Sequence, residues 1–144
     1  FPPRGELLDT LAEEVPGRLT LPPLPARAEQ RVDAPRALYR GFEAQPELTK
    51  AALHTELFDR IRESAARDRW KAVKQLIDAY APQRPERERA LAAASIRYLL
   101  SATTWHYFRV YFGLSLRDTI ACSERSIRQA LDALAKGEPG DEAA

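Results

Sequence analysis

The residue types in this chain that could do chemistry are few. His54 and His106 are its only histidines and Cys122 its single cysteine. Neither histidine has a carboxylate or cysteine beside it at a ligand spacing, and the two fall on different predicted helices, so no metal site is expected. Cys122 follows Ala121 within a predicted helix and has no neighbour that would activate a thiolate. Asp59 and Glu63 stand one helical turn apart, a spacing that suits paired carboxylates. Arg60, Arg62 and Arg67 surround them, however, which makes an ion-paired, solvated face the better reading. With no glycine-rich phosphate loop and no nucleophile elbow, the chain is expected not to be an enzyme and to need no cofactor.

Binding chemistry has more support. Phe42, Phe58, Trp70, Tyr80, Tyr98 and His106 are spread over the middle of the chain and are the candidates for lining a mostly apolar small-molecule pocket. Trp70 stands out among them because it follows Arg67-Asp68-Arg69, three charges that a wholly internal helix would not carry. For each of these residues, core packing is the competing explanation.

Composition bounds the class of partner. The chain has 144 residues, 22 basic and 21 acidic, for a net charge of +1. A single core suffices at this length, and there is no general field to attract a nucleic-acid backbone. One cysteine allows no internal disulfide and fits a reducing cytoplasm. No apolar run approaches the roughly 20 residues a membrane-spanning helix needs. Phe1 is not a translation start and the chain contains no Met, so it is expected to be part of a longer protein.

The elements that must position these residues are all helical, since apolar residues recur at three- and four-residue steps and no stretch alternates long enough for a strand. Leu7, Leu8, Leu11 and Val15 form one stripe of a first short helix, within a segment 1–18, that Pro16-Gly17 should end. Pro22, Pro23 and Pro25 make residues 19–33 a loop. Asp33 is the expected N-cap of a helix over 34–45 with Leu38, Tyr39 and Phe42 facing inward. Pro46 separates it from a short helix over 47–54, and a longer one follows over 55–80. Pro82 and Pro85 bracket the next turn. One continuous helix is then predicted over 86–112, carrying Leu91, Ile96, Tyr98, Leu99 and Ala102 and closed by Gly113. Ser115 and Asp118 form a capping box for a last helix, which Gly137 stops. The polar tail 138–144 is expected to be disordered.

Three stretches resemble one family. Phe1-Pro2-Pro3-Arg4-Gly5-Glu6-Leu7-Leu8 looks like the segment just after the recognition helix of TetR-family transcriptional regulators. Pro46-Glu47-Leu48-Thr49 is similar to a turn many members have in mid-domain. Ser101-Ala102-Thr103-Thr104-Trp105, then Gly113-Leu114-Ser115 and a terminal amphipathic helix, resemble the end of their ligand-binding domain. The chain departs from the pattern at Gly5, where an acid is common, and at the Pro-rich loop, where a helix often continues.

The resemblance implies a connector helix in 1–18, following a helix-turn-helix that lies outside this chain, and an effector-binding and homodimerising domain over 34–137. Operator DNA would be bound through the missing N-terminal unit and no DNA-binding residue is assigned here. The expected function is a bacterial, cytoplasmic repressor's sensor for an unidentified apolar or amphipathic effector. Independently of the family, the aromatic helix and the last helix are richer in apolar side chains than one face of a bundle requires. Trp105, Phe108, Phe112, Ile120, Ile127 and Leu131 are therefore the candidates for a four-helix dimer seam, with intramolecular packing of Trp105 and Phe112 as the alternative. The competing function is a helical interaction or oligomerisation domain with no small-molecule effector.

Overall fold

A computed structural model describes Glu6 and residues 33–54 and 56–137, with the backbone alone over 56–66. The expected helix around Leu7, most of the Pro-rich loop, the tail and the side chain of Phe58 lie outside the described residues. Every regular element among them is helical. The order is α1 (Ala34–Ala44), α2 (Pro46–Leu53), α3 (Glu56–Tyr80), α4 (Glu86–Leu99), α5 (Ala102–His106), a π turn (Tyr107–Tyr111) and α6 (Leu116–Lys136). None of the described helices is long and apolar enough to cross a membrane.

Helices α3 and α4 pack along each other, and α6 lies against α4 and α1. Between them sit Tyr39, Phe42, Val73, Ile77, Ile96, Trp105, and from α6 Ile120, Ile127, Leu131 and Leu134, all buried. The inward placement of Leu38, Tyr39 and Phe42 agrees with their spacing. Leu91 and Tyr98 do not follow theirs: they are 55% and 58% exposed, while Ala93 and Ile96 fill the face of α4 that meets α3 and α6.

Helix ends show where local chemistry was readable. Ser115 Oγ accepts from the Asp118 N–H at 3.0 Å, and Gly113 and Gly137 both take the positive φ that ends a helix with little steric cost. Asp33 does occupy the N-cap of α1, but its side chain makes no capping bond; Pro35 in the first turn starts the helix instead. At the elbow between α1 and α2 the buried Thr49 hydroxyl donates to the Gln45 carbonyl at 2.9 Å, while Pro46 opens α2.

The continuous helix expected over 86–112 is broken. Leu100 leaves the α4 spiral and Ser101 adopts an extended conformation as the N-cap of α5, accepting from the Thr104 N–H at 3.3 Å. The cause is a run of hydroxyls that offers the backbone other partners: Ser101 Oγ and Thr104 Oγ1 each donate to the Tyr98 carbonyl at 2.6 Å. The next carbonyl, of Leu99, accepts from the Tyr39 hydroxyl at 2.5 Å. Because that proton is committed to a carbonyl, the Ser123 hydroxyl at 2.7 Å must donate to the Tyr39 oxygen. Burial raises the Tyr39 phenol's pKa far above its ordinary range, against the lowering influence of the Ser123 bond, so it stays protonated in this role.

Replacing Tyr39 by Phe keeps the ring and strands both partners. The expected loss is roughly 1–3 kcal/mol, read as a lower urea midpoint with an unchanged slope. An unchanged midpoint would show that the Leu99 carbonyl and Ser123 do not need the phenol.

Candidate functional site

The break at Ser101 turns α5 inward, and this brings together residues that are far apart in sequence. His54, exposed at the end of α2, meets His106, buried at the end of α5, with their Nε2 atoms 3.2 Å apart. Their rings meet edge to face with centroids 4.8 Å apart. The proximity of this pair was invisible to an argument from local spacing.

Around His106 the rings form a continuous run. Tyr39 touches Phe42 at 6.2 Å between centroids, Phe42 touches Trp105 at 5.9 Å, and Trp105 touches His106 at 6.3 Å. From His106 the run continues to Tyr111 at 5.1 Å, Tyr107 at 4.9 Å and Phe112 at 6.1 Å. Its inner members are fully buried, whereas Tyr107, Tyr111 and Phe112 are 46%, 59% and 61% exposed. The run thus leads from the core to the surface.

Its outer end is set by the π turn, in which the Phe112 N–H donates to the Tyr107 carbonyl at 2.9 Å. Such widened turns recur at functional sites in helices. Here the widening separates residues that a regular helix would align: Trp105 points into the core, while Phe108 and Phe112 pair with each other at 5.7 Å. Arg109 fastens the turn. It pairs with Glu43 of α1 through Nε and donates from Nη1 to the Leu114 carbonyl at 2.6 Å.

Two buried polar atoms in this group have no hydrogen-bond partner, Trp105 Nε1 and His106 Nδ1. Buried polar atoms are normally satisfied, so these are the points where a bound polar group would gain most. Burial lowers the pKa of His106 below its usual 6.5, and the nearby His54 and Lys50 lower it further. In the neutral pair, the lone pair of Nδ1 is the cheaper group to leave unmatched, which favours the tautomer with His106 Nε2–H donating to His54. Among the described residues no set of three His, Cys, Asp or Glu is placed to hold a metal ion.

The candidate lining residues do not converge on one place. Phe42 and His106 meet through Trp105. Tyr80 is half-buried against the core from α3. Trp70 and Tyr98 are exposed and no ring contact joins them to the aromatic run among the described residues. Of the seam candidates, Trp105, Ile120, Ile127 and Leu131 are buried within the single chain at 8% exposure or less, so they offer no surface to a second copy. Their apolar character is accounted for by α1 and α4. Phe108 is half-buried and Phe112 exposed, and Tyr107, Val110 and Tyr111 join them at the surface. No family model, curated protein or solved structure matches the chain.

A histidine whose pKa is lower in the folded state binds fewer protons there than in the unfolded chain. Its contribution to stability is therefore complete above pH 6.5 and is lost as the pH falls through the folded value. The thermal midpoint should drop between about pH 8 and pH 5, and His106→Gln should flatten part of that drop. A His106→Gln profile parallel to that of the parent chain would remove His106 as the titrating group.

Proposed function

We propose that this chain is the effector-sensing and dimerisation part of a TetR-like transcriptional regulator, acting as a repressor through a DNA-binding unit N-terminal to Phe1. The observation that carries the self-association is the exposed aromatic surface at the π turn. Tyr107, Val110, Tyr111 and Phe112 are all 46% exposed or more, adjacent along the chain and next to the N-terminus of α6. Contiguous apolar surface of this kind is characteristic of protein contacts. A two-fold axis beside the π turn would set each copy's rings against the other's, since a symmetric dimer uses the same patch twice. The sensing half of the proposal is supported by the unpartnered Trp105 Nε1 and His106 Nδ1 at the core end of the same aromatic run. An amphipathic effector would meet a donor and an acceptor there within apolar walls.

Both halves of the proposal use one run of touching rings. A ligand that orders His106 and Trp105 also sets Tyr111, whose ring lies on His106. Only a ligand that favours one arrangement of the aromatic run over another can shift the dimer geometry. A coupling of about 1–3 kcal/mol would change operator affinity roughly 5- to 150-fold. In such a dimer, recognition helices about 34–36 Å apart match successive major grooves, so a modest change in separation spoils the register.

Sedimentation velocity is expected to give a species of about twice 16.2 kDa. Tyr111→Glu combined with Phe112→Glu should return it to the monomer with helicity unchanged, because both side chains are already at the surface. A parent chain that stays monomeric at high concentration, or a double variant that stays dimeric, would contradict the aromatic interface. The regulator itself is tested by the codons upstream of Phe1: a three-helix DNA-binding unit supports it, and any other domain contradicts it.

A further inference from the structure

His54 caps the end of α2 and His106 ends α5, and these two helices pack against each other. The Nε2 atoms stand 3.2 Å apart and the ring centroids 4.8 Å. A straight N–H···N bond of that length would hold the centroids about 5.5 Å apart, because each nitrogen lies about 1.15 Å from the centre of its ring. The two nitrogens therefore do not meet head on. Two imidazoles sharing one ion sit about 2.0–2.1 Å from it at a near-tetrahedral angle, which sets their nitrogens roughly 3.1–3.4 Å and their centroids about 5 Å apart. The pair in this chain already stands close to that spacing.

Access and charge suit an ion as well. His54 is exposed and opens the pair to solvent, while His106 is buried and held by ring contacts with Trp105 and Tyr111. Burial lowers the pKa of His106, so at neutral pH its imidazole is uncharged and has a lone pair to give. Lys50 is near enough to act on His106, but it pairs with Glu47 at 3.6 Å, which offsets part of its charge. When His106 binds through Nε2 its proton moves to Nδ1, which is buried with no acceptor among the described residues. That cost makes the seat one for an exchangeable ion rather than a structural one. The two ligands are 52 residues apart, so spacing along the chain shows no metal motif.

We propose that His54 and His106 together hold an exchangeable late first-row divalent metal ion through their Nε2 atoms. Imidazole suits zinc, nickel and copper(II), whereas magnesium and calcium prefer oxygen ligands. Two protein ligands leave the ion's other positions to water or to donor atoms of a bound molecule. The site stands on the geometry of the histidine pair and does not depend on the regulator reading.

The test is a calorimetric titration of the full 144-residue chain with zinc chloride near neutral pH. Cys122→Ser is carried throughout, because the exposed thiol would otherwise compete for zinc. One saturable ion per chain is expected, and magnesium chloride should give no binding heat. His54→Ala, at an exposed helix end, and His106→Gln should each weaken zinc binding by at least the roughly tenfold that losing even an outer partner of a metal ligand costs. Side-chain nitrogen NMR of the parent should show both Nε2 resonances shifting with zinc, which decides the role of His106 even if His106→Gln loses helicity. The proposal is overturned if zinc does not bind saturably or if His54→Ala binds it as the parent does. A shift at His54 Nε2 alone would place the ion on that side chain by itself and overturn the pair.

Discussion

The carbonyl groups left open where α4 ends are the constraint on which the rest of this structure depends. Tyr98 and Leu99 finish α4, and no amide one turn further on within the helix serves their oxygens. Hydroxyls do so instead: Ser101 and Thr104 on the first, Tyr39 on the second. Satisfying them bends the chain by one extended residue, and that bend aims α5 at the core. Without it, Trp105 and His106 would lie on the far side of a straight helix and the aromatic run would not form. Tyr39 therefore links three helices, since the same oxygen accepts from Ser123 on α6.

From that bend outward, the rings pass from the core to the surface by degrees. The inner rings are packing, as the burial of Tyr39, Phe42 and Trp105 shows. His106 is the transition, buried yet paired with an exposed histidine from α2. Beyond it the π turn spreads Tyr107, Tyr111 and Phe112 over the surface, and Arg109 holds the turn to α1 through Glu43. A disturbance at either end has a path of touching rings to the other, which a scattered set of aromatics would lack. Whether the path carries energy depends on its having two arrangements, and contact alone does not supply that.

Periodicity made the helices legible, and cap chemistry made some of their ends so. The Ser115 and Asp118 box and the glycines at 113 and 137 are local devices that sequence displays directly. The break at Ser101 was harder, because its cause is a hydroxyl network completed by Tyr39, 60 residues away from its acceptor. The α6 residues expected at a dimer seam are buried within the single chain instead; an inward face and an outward seam have the same three- and four-residue spacing, so sequence did not separate Ile127 from a dimer contact. The pairing of His54 with His106 carries no local signal at all, because only the crossing of their helices brings the two together. The inward placement of Phe42 was readable from apolar spacing; the exposure of Trp70 was hinted at by the charges before it.

The proposed dimer sets a second copy of the chain over the exposed rings of the π turn. Its most direct test is an isotope-filtered NOE experiment on a mixture of labelled and unlabelled chain, which registers only contacts between copies. Intermolecular NOEs to the rings of Tyr107, Tyr111 and Phe112 are expected. Their absence in a sample shown to be dimeric, with intermolecular NOEs arising from another face such as Leu91 and Tyr98 of α4, would contradict it.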